Sequence, residues 1–169
     1  HPLAMMRYAE SELLLPEEDQ YRSTVSPPVM LILTIVISQA IGLAVLGSSP
    51  IVRSQHGLAA LVNDNTTLLL VRLMLFALFA VVVATRKVRR SGVGLERATL
   101  KPAFYAQCYA ISPVTLLVGI GTVSIGQHHP FLQAAGIAAL VVAVGFYGIV
   151  QSIWFKRELG GSLLRATFD

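Results

Sequence analysis

An uncharged run of 54 residues, Pro102 to Phe155, dominates this sequence and contains no Asp, Glu, Lys or Arg. A helix that crosses a membrane needs only about 20 apolar residues, because it rises about 1.5 Å per residue across a hydrocarbon core of roughly 30 Å. The run is long enough for two such helices, and the polar step from Gln127 to Pro130 near its middle is where the chain would turn. The sequence therefore predicts an integral membrane protein.

Composition agrees with this prediction and bounds the size of the fold. Hydrophobic residues make up 54 % of the chain and charged residues only 13 %. The mean hydropathy of +0.68 lies outside the usual range of a soluble domain. The chain of 169 residues has room for one compact helical bundle. Its single cysteine, Cys108, excludes an internal disulfide and a cysteine-based metal cluster.

Four apolar stretches predict an all-α, polytopic membrane fold with four transmembrane helices. The expected spans cover about residues 29–46, 66–85, 103–125 and 131–155, within a transmembrane domain over residues 28–169. Pro27 and Pro28 fit the entry to the first span, because proline is well tolerated in a first helical turn. Asp64 or Asn65 is placed to cap the second span.

Residues 1–27 form a polar, acidic segment ahead of the first span. Leu3, Met6, Leu13 and Leu14 recur in it at roughly helical spacing. This pattern predicts a short amphipathic helix that lies along the membrane surface. The alternative interpretation is a loosely ordered cytoplasmic tail.

Lys and Arg are distributed unequally between the two predicted sides of the membrane. If the N-terminus is cytoplasmic, that side carries eleven of the thirteen basic residues, while Arg53 lies outside and Arg72 lies within a span. The asymmetry predicts that both termini are cytoplasmic, in a bacterial-type inner membrane. Such clustering is typical of a cytoplasmic loop at anionic lipid headgroups and not of a nucleic-acid groove. The candidate headgroup contacts in this loop are Arg86, Lys87, Arg89, Arg90, Arg97 and Lys101.

Polar side chains are few within the predicted spans, and Arg72 is the only formal charge among them. An arginine costs up to about 2.5–3.5 kcal/mol at the bilayer centre by insertion scales. One interpretation is a site for a substrate, a lipid phosphate or a partner's carboxylate. The other is an arginine that snorkels to the headgroups or pairs with a glutamine on a neighbouring helix.

Three glutamines, Gln39, Gln107 and Gln151, complete the candidate intramembrane polar site. Gln107 and Gln151 lie near the predicted cytoplasmic ends of their spans. Hydrogen bonding between helices is the usual use of such residues. A polar vestibule that faces the cytoplasm is the second interpretation.

Residues that would support chemistry are missing from the predicted spans. His56, His128 and His129 fall in loops, where no carboxylate or cysteine accompanies them at metal-ligand spacing and no facing pair could hold haem. No embedded Asp or Glu supports proton- or sodium-coupled transport. No phosphate-binding loop or nucleophile–base pair is present either. We therefore expect no catalytic residue, no cofactor and no metal site.

Small residues mark the surfaces where helices are expected to pack. Residues with small side chains at four-residue spacing let helix backbones approach closely, either within the bundle or against a partner subunit. A proline within a span should kink it. The candidate packing residues are Ser38, Gly42, Pro113, Ala135, Ala139 and Ala143.

The segment Gln107-Cys108-Tyr109-Ala110-Ile111-Ser112-Pro113 resembles the tyrosine–small–x–Ser/small–Pro step of the Yip family of small polytopic membrane proteins, particularly its bacterial branch. The closing helix and basic tail, from Tyr147 through Arg165-Ala166, are similar to that family in layout. So is the opening from His1-Pro2 to Ser26-Pro27-Pro28. This chain has four clear spans where the family commonly has five. The resemblance implies a non-enzymatic scaffold or adaptor and transfers no catalytic residue.

These features together predict a non-catalytic accessory subunit or adaptor. Its expected partners are membrane lipids and another membrane protein or a larger membrane complex, and not nucleic acid. The alternative is a small transporter or channel, as a monomer or an oligomer, built around Arg72 and the Gln107–Gln151 cluster. A flux assay in liposomes separates the two, because an adaptor alone should pass nothing.

Overall fold

The structure, a computed structural model, describes residues 2–47 and 64–159, with side chains as far as Lys156. Within these ranges the chain forms five helices: α1 (Pro2–Glu12), α2 (Pro27–Leu46), α3 (Asn65–Arg90), α4 (Arg97–Ile125) and α5 (Pro130–Leu159). Four of them, α2 to α5, are long and apolar enough to cross a membrane. The predicted all-helical fold with four long apolar helices is therefore confirmed for the described residues. Arg53, His56, Arg165 and Ala166 lie outside those ranges.

The basic segment between α3 and α4 is mostly helical, which corrects the predicted loop over residues 86–101. Helix α3 continues to Arg90 and α4 already begins at Arg97, so the connection is limited to residues 91–96. Arginine and lysine are good helix formers, and cations in a last helical turn interact favourably with the helix dipole. Gly92 lies in this connection with φ +69°, in the left-handed region that favours glycine.

The start of α3 is capped by Asp64, one of the two residues predicted for this role. Its carboxylate accepts a hydrogen bond of 2.7 Å from the backbone N–H of Thr67. This bond favours the ionised form and holds the pKa of the Asp64 carboxyl below its ordinary value. Pro27 begins α2 at the first helical position, as predicted.

Helix α4 lies at the centre of the fold and packs against each of the other four helices. It runs parallel to α2, because Thr34 is beside Thr115 and Ser38 is beside Gly119. It runs antiparallel to α5, because Gln107 meets Gln151 and Gly121 lies beside Gly136. We call the end that carries α1 and residues 86–101 the basic end, and the opposite end, where α2 and α4 finish, the far end.

Two buried clusters hold the helices together. The first, at the basic end, joins all helices except α2 and consists of Leu3, Met6, Ala84, Val88, Ala103, Ala106, Ala110, Val150, Trp154 and Phe155. The second, which we call the middle core, consists of Leu31, Ile35, Ala80, Cys108 and Ile111, with Phe76, Phe104 and Tyr147 packed against it. The outward faces of the long helices are apolar as well. Met74 on α3 is 72 % exposed and Val144 on α5 is 73 % exposed, an arrangement suited to a hydrocarbon environment.

Helix α1 lies within the N-terminal segment, and its buried face contacts protein. Leu3, Met6 and Ala9 are buried against the bundle, with Met6 completely inaccessible. The two later residues of the predicted pattern, Leu13 and Leu14, follow the end of the helix, and Leu14 is 87 % exposed. The apolar stripe is therefore shorter than predicted, and it is used to dock α1 on α4 and α5.

Candidate functional site

Arg72 lies on α3, seven residues after the helix begins, and faces α2. Its guanidinium donates a hydrogen bond of 2.8 Å to the side-chain oxygen of Gln39. Gln39 is only 6 % exposed, so the bond forms in a largely buried setting. The structure thus brings two of the predicted site residues together, in the arginine–glutamine pair that one interpretation of the sequence anticipates.

A cavity of about 300 Å³ adjoins this pair at the far end. Ser38, Gln39 and Arg72 line its inner part, and the ends of α2 and α4 form the rest of the wall. Most of that wall is apolar, formed by Leu43, Leu46, Val123 and Ile125 together with Gly42, Thr122 and Gly126. The result is an apolar recess with one cation at its inner end.

Gln107 and Gln151 form a closed pair of side-chain amides near the basic end. Each amide donates to the oxygen of the other, and the hydroxyl of Tyr147 donates to the Gln107 oxygen at 2.9 Å. Gln107 is fully buried. The pair therefore serves hydrogen bonding between α4 and α5, and not the vestibule that the sequence left open. Arg72 and Gln39 lie apart from it, on the other side of the middle core.

The six basic residues from Arg86 to Lys101 fall into two groups. In the first group, Lys87 forms an ion pair of 2.7 Å with Glu10 of α1 and lies 4.5 Å above the ring of Trp154. Arg90 and Lys101 lie over the rings of Phe155 and Tyr105 in the same way. Three members of the predicted headgroup set thus take part in contacts within the protein. The second group, whose side chains are exposed, consists of Arg86, Arg89 and Arg97.

Close helix contacts occur at glycines that the sequence analysis did not single out. A Cβ at Gly119 of α4 would lie 1.7 Å from the hydroxyl oxygen of Ser38, and one at Gly136 of α5 would lie 2.6 Å from the backbone oxygen of Gly121. The predicted Gly42 also packs on α4, 3.4 Å from Val123 by the same measure. The sequence shows that Gly119 and Gly121 are small residues, but it does not show that they face a neighbouring helix.

The predicted small-residue stripe on α5 is only partly buried. Ala143 is buried, Ala139 is half-buried and Ala135 is exposed. The neighbouring Gly136 makes the tight contact instead. A four-residue spacing marks one face of a helix, but the face of α5 that packs on α4 begins at Gly136, one residue after Ala135.

Pro113 lies inside α4, which continues on both sides of it. The hydroxyl of Ser112 donates to the backbone oxygen of Cys108 at 2.8 Å, and that of Thr115 donates to the backbone oxygen of Ser112. The Thr115 hydroxyl also meets that of Thr34 on α2 at 3.1 Å. Hydroxyl groups that bond to backbone oxygens therefore lie on both sides of Pro113, where proline interrupts the backbone hydrogen bonds of the helix.

Tyr21 and Glu10 are residues of the N-terminal segment that the sequence analysis did not identify. The Tyr21 hydroxyl donates to the backbone oxygen of Ala9 at 2.8 Å, and its backbone N–H donates to Glu12. Burial raises the pKa of the Tyr21 hydroxyl above its ordinary value. Together with the Glu10–Lys87 pair, these bonds fix the segment after α1 against the bundle. No local sequence signal reveals contacts of this kind.

Among the described residues, no three His, Cys, Asp or Glu side chains are grouped so that they could hold a metal ion. Comparison with protein-family models, with curated proteins and with solved structures finds no match for this chain. The resemblance to the Yip family therefore stays a prediction, and the assignment of function depends on the geometry of the site.

Proposed function

We propose that this chain is a non-catalytic integral membrane protein that acts as an accessory subunit or adaptor and binds membrane lipids and other membrane proteins. In this proposal α2 to α5 cross a bacterial-type inner membrane, with the basic end on the cytoplasmic side. The resemblance to the Yip family implies a scaffold or adaptor role, which is consistent with this proposal.

The closed interior of the bundle is the observation that carries this proposal. The cavity beside Arg72 is followed, toward the basic end, by the middle core around Ile35 and Ile111. Beyond that core the amides of Gln107 and Gln151 are bonded to each other. Within the described residues the polar groups at the two ends are thus separated by packed apolar side chains, which favours binding over conduction.

The exposed arginines at the basic end support contact with anionic headgroups. Arg86, Arg89 and Arg97 project from the ends of α3 and α4, where the apolar helix surfaces give way to the polar connection. Each basic residue near an anionic membrane surface contributes about 1 kcal/mol of attraction. We infer that these three side chains, and not the whole predicted set of six, supply the electrostatic part of lipid binding.

The proposal predicts selective retention of anionic lipid. Protein extracted gently from its membrane should carry anionic lipids in native mass spectra, and replacing the three exposed arginines with glutamine should weaken this binding on the order of a hundredfold. Arg7→Gln, which removes an exposed cation from α1, should have a far smaller effect. Equal lipid retention by the triple variant would contradict the headgroup role.

Flux measurements on the same preparation test the alternative function. Liposomes that contain the purified protein should release K⁺, chloride and acetate no faster than empty liposomes. A stoichiometric protein partner in the mass spectra would identify the complex that the chain serves. Protein-dependent flux that Arg72→Leu abolishes would replace the adaptor with a transporter.

The proposed orientation predicts which end of the bundle reacts with an impermeant thiol reagent. Val93→Cys in the connection between α3 and α4 should be labelled in intact cells only after the membrane is permeabilised, whereas His128→Cys at the far end should be labelled without permeabilisation. Both positions are exposed, and the native Cys108 is buried, so the background should be low. The reverse pattern would invert the orientation.

A further inference from the structure

We propose that the cavity beside Arg72 binds a small apolar monocarboxylate, whose acid group pairs with the Arg72 guanidinium and whose hydrocarbon part fills the space between α2 and α4. This inference goes beyond the proposed headgroup contacts, which lie at the opposite end of the bundle. It is supported by the charge, the polarity and the size of the cavity.

The charge of Arg72 is not balanced within the described part of the chain. Its hydrogen-bond partner, Gln39, is neutral, and the described residues of the cavity wall include no carboxylate. Two ion pairs among the described residues, Arg22–Asp19 and Lys87–Glu10, both involve an acid of the N-terminal segment at the basic end. A cation in a largely apolar recess is stabilised by an anion that enters with it.

The polar groups at the inner end of the cavity suit a carboxylate. A guanidinium has five N–H donors in a planar fork that matches the two oxygens of a carboxylate, and one of these donors is used by Gln39. That bond uses the carbonyl oxygen of Gln39 and leaves its NH₂ group as a further donor. A site with one positive charge and additional N–H donors is complementary to a monoanion better than to a phosphate dianion.

The rest of the cavity suits a hydrocarbon group of limited size. Its walls are formed by Leu43, Leu46, Val123 and Ile125. A volume of about 300 Å³ is at the lower end of the range of roughly 300–1,000 Å³ that small-molecule pockets span. This fits a medium-chain or aromatic acid and is too small for a lipid with two acyl chains.

The position of the cavity indicates the side from which the ligand enters. Leu46 is the last residue of α2 and Gly126 follows the last residue of α4, so the wall extends to the far end of the bundle. In the proposed orientation this end faces away from the cytoplasm. The acid would therefore be taken up from the outer side and held, because the middle core closes the inner end.

The test is a titration of the full chain in nanodiscs of zwitterionic lipid with octanoate, corrected for octanoate uptake by empty nanodiscs. Octanoate should bind saturably, whereas octylamine, which has the same chain and the opposite charge, should not. Acetate, which has the acid group alone, should bind at least tenfold more weakly than octanoate. Saturable binding of octylamine as tight as that of octanoate, or no saturable octanoate binding, would overturn the proposal.

Variants assign the binding to this cavity. Arg72→Leu should weaken octanoate binding by at least about tenfold, because a charge-assisted hydrogen-bonded pair is lost. Arg7→Leu, which removes an exposed arginine from α1 at the opposite end of the bundle, should leave the affinity within about twofold, since that side chain is remote from the cavity. Gly42→Leu keeps the charge and fills the space, so it should also abolish binding, which covers the case in which Arg72→Leu fails to fold. Unchanged affinity in a folded Arg72→Leu or Gly42→Leu protein would rule out this site.

Discussion

Replacing Gly136 with alanine is expected to destabilise the bundle by about 1–3 kcal/mol, the usual cost of overpacking a close contact. A Cβ at this position would lie 2.6 Å from the backbone oxygen of Gly121 and 2.9 Å from the backbone nitrogen of Ile125. Both atoms belong to the backbone of α4, so no side-chain rotation can relieve the overlap. Helices α4 and α5 would have to move apart, and the contacts near them would loosen.

Gly145 on the same helix provides the matched control. A Cβ there would meet nothing within 4 Å, so Gly145→Ala should be neutral or slightly stabilising, because alanine favours a helix over glycine. Far-UV circular dichroism during denaturant titration in mixed micelles measures both variants against the original chain. If Gly136→Ala and Gly145→Ala unfold at the same denaturant concentration, the close approach of α4 and α5 is not present in the protein.

The number and kind of the long helices could be predicted because apolar length is a local property of the sequence. The C-terminal end of α3 and the start of α4 could not be predicted in this way, since hydropathy indicates where an apolar environment stops and not where the helix stops. Arg86, Lys87, Arg89 and Arg90 are charged and still helical. The hydrogen bonds of the helix continue through them, supported by good intrinsic propensity and by the helix dipole.

The candidate site was predictable one residue at a time and not as an arrangement. Arg72 is conspicuous in the sequence because charges are costly in an apolar span. That its partner is Gln39, 33 positions earlier, depends on the register between α2 and α3, which no local pattern encodes. The glycine contacts could not be predicted for the same reason. Small side chains are common in this chain, and only the packing of α4 against its neighbours decides that Gly119, Gly121 and Gly136 are the ones in contact.

The N-terminal segment shows how the same pattern can serve two environments. An apolar stripe on a short helix is equally suited to a membrane surface and to a groove on a protein, so Leu3 and Met6 could not distinguish them. A distant residue distinguishes the docked helix from the interfacial one, because Lys87 pairs with Glu10 across 77 positions of sequence and so ties α1 to the bundle. Both side chains of this pair are shielded, at 13 % and 23 % exposed.

Replacing Met6 with alanine is expected to release α1 from the bundle, with a loss of about 2–5 kcal/mol of docking free energy. Met6 is completely inaccessible and belongs to the cluster at the basic end. A helix of 11 residues is marginal in isolation, so an undocked α1 should also unfold. Its backbone amides should then exchange hydrogen at least about 20-fold faster, as mass spectrometry of the N-terminal peptides would show.

Met5→Ala is the matched control for this change. Met5 is 41 % exposed on the same helix, so its replacement should change the docking free energy of α1 by no more than about 0.5 kcal/mol. The pair of variants also separates the two environments of α1. If α1 docks on protein, Met6→Ala accelerates exchange equally in detergent micelles and in lipid nanodiscs, since the lost contacts are with α4 and α5. If α1 instead lies along a membrane surface, both methionines would contact lipid, and the two substitutions would have similar effects that depend on the lipid. Equal exchange in the two variants would therefore contradict the docked arrangement and restore the interfacial helix that the sequence predicts.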